Sequence, residues 1–251
     1  MHEALCTAFE QLYSCLPDAR FERRDGYILL TCAAFPIPQF NGILLDSADA
    51  EPAPRDLADA VAEVERLGVP CGVQVRAGKT EPVEDGARRL GLTVETPMPG
   101  MAATPDDLRP PGVAGLELVR AEDQDALAEA ARIAAAGFKI PQEFIAPLYS
   151  DRVASLPGLE IYLGLVEGRS ASTAVGFAVD GSVGIFNVAT PPEHRRRGYG
   201  GAVTAHAARE AFARGADLAW LQSSTMGESV YRGLGFRQVE TYLLFSRPTA
   251  H

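Results

Sequence analysis

The sequence predicts an α/β (α+β) protein in two parts. Three observations carry this. Short apolar runs such as 160–166 and 184–190 alternate with stretches of helical periodicity. Turn pairs, Glu167-Gly168 and Asp180-Gly181, join neighbouring runs as hairpins. A proline-rich stretch, Thr104-Pro105-Asp106-Asp107-Leu108-Arg109-Pro110-Pro111-Gly112, interrupts the chain, because adjacent prolines continue neither a helix nor a central strand. The boundary is expected there, giving parts 1–110 and 111–251.

The second part opens with a strand over 116–120. A helix over 122–136 follows, with Leu127, Ala130, Ala131 and Ala134 on one face, and Gly137 is read as its stop. Residues 138–147 form a short irregular or helical lip. Strands over 160–166, 174–179 and 184–190 precede a helix over 198–214 that ends at Gly215. A strand over 217–222, a helix over 228–234 and a strand over 238–246 close the chain. The order is β-α-β-β-β-α-β-α-β. The first part has a similar rhythm: strand 40–45, helix 55–67, strand 71–75, helix 83–90, strand 92–96. Gly42-Ile43 begins one strand as Gly184-Ile185 begins another, and Val73-Gln74 sits where Leu221-Gln222 sits. Arg88-Arg89-Leu90-Gly91-Leu92 parallels Arg232-Gly233-Leu234-Gly235-Phe236. The halves therefore read as weak internal repeats.

The chain has 251 residues and a formal net charge of −10. That charge argues against nucleic acid as a partner, since phosphate binding draws on a basic surplus. Cys6, Cys15, Cys32 and Cys71 form no metal-like spacing and read as free thiols. The longest apolar stretches, such as 26–35, are too short to cross a bilayer, so no membrane role and a cytoplasmic location are expected. With four histidines and no clustered acidic partners, no catalytic metal is expected.

The sharpest local signal is His194-Arg195-Arg196-Arg197-Gly198-Tyr199-Gly200-Gly201-Ala202, between a strand and a helix. The first amides of a helix have no internal partner, and the helix dipole favours negative charge there. Glycines remove side chains that would hold a phosphate away. This predicts a phosphate or pyrophosphate site. It is neither a Walker loop nor a clean GxGxxG turn.

With this turn the sequence resembles the GNAT superfamily of acetyl-coenzyme A-dependent N-acetyltransferases, whose signature Arg/Gln-x-x-Gly-x-Gly/Ala reads here as Arg195-x-x-Gly198-x-Gly200. Residues 184–190 resemble the family's fourth strand. Leu221-Gln222-Ser223-Ser224 and Val230-Tyr231-Arg232-Gly233-Leu234-Gly235-Phe236 resemble its fifth strand and tyrosine-bearing helix. The resemblance covers about 116–247 and implies the GNAT fold, a mixed, mostly antiparallel central sheet flanked by helices. The N-terminal part resembles the degenerate first half of tandem GNAT proteins. There, 46–55 offers Asp, Ala, Glu and Pro in place of the glycine-arginine turn, so a supporting lobe or a wall of the acceptor site is expected.

The resemblance implies an acyltransferase that moves an acetyl group from acetyl-coenzyme A to a primary amine of a small molecule, by direct attack in a ternary complex. Its cofactor would lie on Arg195, Arg196, Arg197, Gly198, Tyr199, Gly200 and Gly201, with Ser224 and Tyr231 also in contact. Asn187, Val188 and Ala189 would pair with the pantetheine arm. The N–H of Val188 would polarise the thioester carbonyl, and Tyr231 would protonate the leaving thiolate. Glu143 and Ser223 are acceptor-side residues, and the base is open among Glu143, Glu193, His194, Glu240 and water. Two departures from the family pattern are Ser224 in place of a common Asn and Gly227 in place of a common Ala. A protein lysine or N-terminal acetyltransferase and a non-catalytic acyl-coenzyme A sensor are the alternatives. A monomer or homodimer is expected.

Overall fold

The computed structural model describes residues 1–47, 50–94 and 97–248. In chain order the elements are α1 (His2–Tyr13), β1 (Ala19–Arg24), β2 (Tyr27–Cys32), β3 (Gly42–Leu45), α2 (Pro54–Glu65), β4 (Gly72–Arg76), α3 (Glu81–Arg89), β5 (Thr93–Val94) and β6 (Met98–Ala103). There follow β7 (Leu116–Arg120), α4 (Gln124–Phe138), α5 (Gln142–Ile145), α6 (Asp151–Ala154), β8 (Leu159–Val166), β9 (Arg169–Val179) and β10 (Ser182–Ala189). The chain closes with α7 (Tyr199–Ala213), β11 (Leu218–Gln222), α8 (Glu228–Gly233) and β12 (Arg237–Ser246). The predicted strand over 92–96 is found as β5, and Glu95 and Thr96 lie outside the described residues. Ala48 and Asp49, within the acidic stretch 46–55, also lie outside them.

Two compact units result, but they do not divide the chain at residue 110. One contains His2–Gly100 with the chain from Gln238 onward, the other Met101–Arg237. The N-terminal unit has strand order β1-β2-β3-β4-β12, with β5 pairing β12; the C-terminal unit has β6-β11-β10-β9-β8-β7. Each unit thus takes a strand from the other half of the sequence. The proline-rich stretch is not a linker. Arg109 donates its N–H to the Leu234 carbonyl at 2.8 Å, and Arg237 pairs with Asp107 at 2.9 Å. Prolines exclude regular structure there, but they do not exclude packing.

In both units the strand pairing is mixed and mostly antiparallel. In the C-terminal unit β7-β8, β8-β9 and β9-β10 are antiparallel and β10-β11 parallel. In the N-terminal unit β1-β2, β2-β3 and β4-β12 are antiparallel and β3-β4 parallel. The repeat extends to single hydrogen bonds. Gly91 and Gly235 both take left-handed φ after a helix (78° and 97°), and the next amides, of Leu92 and Phe236, reach back to the carbonyls of Ala87 and Tyr231. This is one helix-ending motif used twice, each time burying the following apolar residue.

Each unit has its own core. Leu29, Ile43, Leu57, Val73, Leu92 and Phe245 are centred in the N-terminal one, and Met101, Ile185, Val203, Leu221, Leu234 and Phe236 in the C-terminal one. Helix α4 starts at Asp123, whose carboxylate accepts the Ala126 N–H. It passes through Gly137 and ends at Lys139 in the left-handed region, φ 59°. The predicted stop at Gly137 is corrected for a packing reason: a Cβ there would stand 2.8 Å from that of Ala189. The glycine lets α4 cross the end of β10.

Candidate functional site

The site is assembled around the carboxyl ends of β10 and β11. Their parallel ladder runs only from Ser182/Leu218 to Gly184/Trp220. On its other side β10 shifts register against β9: Asn187 and Val188 together oppose Ala174, and Asn187 takes φ 50°. This is a β-bulge whose first residue is left-handed, a device that kinks a strand and re-aims its groups. Val188 packs against the core, while the Asn187 side chain lies beside the phenol of Tyr149. The strand at Asn187, Val188 and Ala189 therefore has backbone beyond the β11 ladder, as pairing with an extended ligand demands.

Helix α7 is the next long helix after this strand, reached through residues 190–198, which include the single turn Pro192–His194. Its cap is Gly198 at φ 82°, with no side-chain hydrogen bond, and Arg196 before it is also left-handed at 61°. Arg196, Arg197 and Gly198 are exposed. The amides of Tyr199, Gly200 and Gly201 stand in the first turn, where a helix offers no internal acceptor. Exposed arginines, a cap without a side chain and free first-turn amides are the components of an anion cradle. Arg195 has a different position. Its Nε donates to the Thr190 carbonyl at 3.0 Å and its Nη2 to the Gly137 carbonyl at 2.7 Å. Its guanidinium ties the end of α4 to the strand exit, leaving the anion to its neighbours. The Tyr199 ring is buried, so only its backbone is available.

Tyr231 lies on α8, packed edge-on against Phe236 at 6.2 Å between ring centroids. Burial pushes its phenol up to about 12, so it stays a proton donor through the neutral range. Gly227 opens α8 for a steric reason: a Cβ would meet Tyr231 Cε2 at 2.8 Å. The alanine common in the family would displace the tyrosine here. Ser224 is exposed, and its Oγ accepts the Gly227 N–H at 3.2 Å, which leaves its own proton free. Ser223 is buried and donates to the Ser224 carbonyl at 2.7 Å.

The acceptor-side residues are less gathered. Glu143 is exposed on the short α5. Glu193 is exposed, and His194 is half-buried with Nδ1 unpartnered among the described residues. Glu240 belongs to the N-terminal unit, held by Arg76 at 3.2 Å and by the Tyr242 hydroxyl at 2.8 Å. Two polar groups escaped the sequence reading: Tyr149 Oη and Gln222 Nε2 are buried with no partner among the described residues. Gln222 follows the last β10-β11 pair. A motif search has no means to single out Tyr149, which sits in an irregular Pro-Leu-Tyr-Ser turn.

Among the described residues no group of three His, Cys, Asp or Glu could hold a metal, and no helix is long and apolar enough to cross a membrane. All four cysteines are free, and burial raises the thiols of Cys6 and Cys71 to about 11 and 12.

A strand carrying a bulge, a parallel ladder cut short, an uncapped helix and a tyrosine-bearing helix define the GCN5-related N-acetyltransferase (GNAT) fold. The family model described as FR47-like protein matches residues 162–244, a third of the chain. A GCN5-related N-acetyltransferase from Kribbella flavida is similar over 100% of this chain and 97% of its own, with a TM-score of 0.76 at 19% identity. One from Sphaerobacter thermophilus is similar over 93% of this chain and 77% of its own (TM-score 0.59, 16% identity). A tandem GNAT protein from the clavulanic acid biosynthesis pathway is similar over 94% and 86% (TM-score 0.61, 12% identity). No curated protein matches the sequence. The resemblance to the GNAT superfamily read from the turn at 195–201 is thus matched by a fold that extends over the whole chain.

Proposed function

We propose that the chain is an acyltransferase that binds acetyl-coenzyme A and moves its acetyl group to the primary amine of a small molecule, by direct attack in a ternary complex in the cytoplasm. The observation that carries this reading is the uncapped start of α7, Gly198 at φ 82° with exposed Arg196 and Arg197, following in the chain a strand whose parallel ladder ends early.

Acetyl-coenzyme A supplies the activated acyl group. The amides of residues 196–201 hold its pyrophosphate, and Arg196 and Arg197 add charge. Asn187, Val188 and Ala189 pair with the pantetheine arm, and Ser224 donates its free proton to it. The Val188 N–H stabilises charge growing on the thioester oxygen, a contribution of about 3 kcal/mol to the barrier for a well-placed donor. Tyr231 protonates the departing sulfur. Its weak acidity is no obstacle, since the proton moves only as charge appears on sulfur. Glu143 and Ser223 contact the acceptor.

Release of free thiol from acetyl-coenzyme A over a panel of small amines and peptides tests the reading. Thiol release with small amines supports it, and release with peptides alone would point to a protein acetyltransferase. No release, with coenzyme A still raising the melting temperature, would make the chain a sensor.

A further inference from the structure

We propose that Tyr149 is a positioning residue for the acceptor, its phenolic oxygen receiving an N–H of the amine beside the β10 bulge; this rests on the acetyltransferase reading above. Tyr149 ends the single turn Ala146–Tyr149 and is 3% exposed, yet its hydroxyl has no hydrogen-bond partner among the described residues. An unpaired buried hydroxyl is costly, so phenylalanine would serve the fold at least as well. The side chains of Asn187 and Thr173 lie alongside. The Thr173 hydroxyl already donates to the Tyr162 carbonyl at 2.9 Å, so towards Tyr149 it can only accept.

Asn187 is the left-handed first residue of the bulge, and Thr173 faces Ala189 across the ladder. Three polar side chains therefore converge where β10 has left β11. A phenol donates one hydrogen bond and accepts others. With its O–H directed to Asn187 or Thr173, its lone pairs remain for an N–H donor. That is what a neutral primary amine requires: its N–H groups held and its own lone pair free to attack. A carboxylate in this place would favour the ammonium form, whose lone pair carries a proton. Burial and two neutral neighbours are the influences on this phenol, so it stays uncharged. The ligand class is an unprotonated primary amine recognised by a neutral oxygen.

The test is Tyr149→Phe, assayed with the amine that releases thiol in the panel. The KM for the amine should rise at least about fivefold, as for one lost hydrogen bond. Coenzyme A affinity should stay within about twofold, and the melting temperature should change little, because the phenol's bond to Asn187 or Thr173 is the one bond within the protein at stake and its loss is offset by relief of a poorly satisfied buried hydroxyl. An amine KM unchanged by the substitution overturns the proposal. So does a melting temperature several degrees lower, which would make the hydroxyl a partner in the fold. A wild type that releases no thiol sinks the acetyltransferase reading and this inference together, whereas an active wild type with an unaltered variant sinks this inference alone.

Discussion

The two units repeat one strand-helix-strand-helix plan and differ where a nucleotide would bind. In the C-terminal unit the parallel ladder stops at Gly184/Trp220, and β10 bulges at Asn187. In the N-terminal unit the ladder begins at the matching Gly42/Gly72 and continues through Leu44/Gln74, and β3 pairs without a bulge to Leu45. The carbonyl of Leu45 is then occupied by the ring of His2 at 2.7 Å. The following helices differ as well. α7 starts from glycines and exposed arginines, whereas α2 starts with Pro54, which has no amide to give, and with Asp56 in its first turn. The residue matching Tyr231 in the shared helix-ending motif is Ala87. One unit has a gap, a glycine-capped helix start beside exposed arginines and a tyrosine on the following helix; the other has closed the gap and has neither of the other two. Fold and binding site are separable properties of the same plan.

The largest expected effect of breaking this contrast is at the cradle. Gly198→Asp places a carboxylate against the phosphate and forces a side chain onto φ 82°. Coenzyme A affinity, read by calorimetry, should fall at least about a hundredfold, two charge-assisted bonds' worth. Next is Tyr231→Phe. Turnover should fall about a hundredfold with coenzyme A affinity unchanged. Burial holds this phenol at about 12, so the wild-type turnover should show no alkaline decline from Tyr231 below its ordinary value near 10.

A smaller effect sharpens the comparison from the N-terminal side. Burial lowers the pKa of His2 from 6.5. The folded state therefore resists a proton that the unfolded chain accepts. The stability this contributes is present above 6.5 and is lost as pH falls from there through the lower folded value. Melting temperature should drop across that window, and His2→Gln should flatten the drop. The smallest effect is expected from Glu51→Gln with Asp56→Asn. Removing acid from a helix start that has no cradle should leave coenzyme A affinity within about twofold.

Much of the C-terminal unit was legible in sequence because its signals are local. The glycine-arginine turn, the hairpin pairs and the Tyr-x-x-x-Gly-Phe ending each lie within a few residues. The N-terminal repeat was visible through Gly42, Val73 and Gly91, although its helices differ in length from their counterparts. What stayed hidden depends on partners distant in the chain. β6 contains Pro99 and Gly100, which argue against a strand until β11 is known to lie beside it. β2 is buried along its whole length, so it shows none of the alternation that marks a half-exposed strand. The role of Arg195 as a tie between two carbonyls and the unpaired phenol of Tyr149 follow from packing, which residue types do not encode.

The central claim is that the chain holds one cofactor site, in its C-terminal unit. Calorimetric titration of coenzyme A into the full chain tests it most directly. One equivalent bound per chain, abolished by Gly198→Asp, is the predicted result. Two equivalents, or one that survives the substitution, would contradict it.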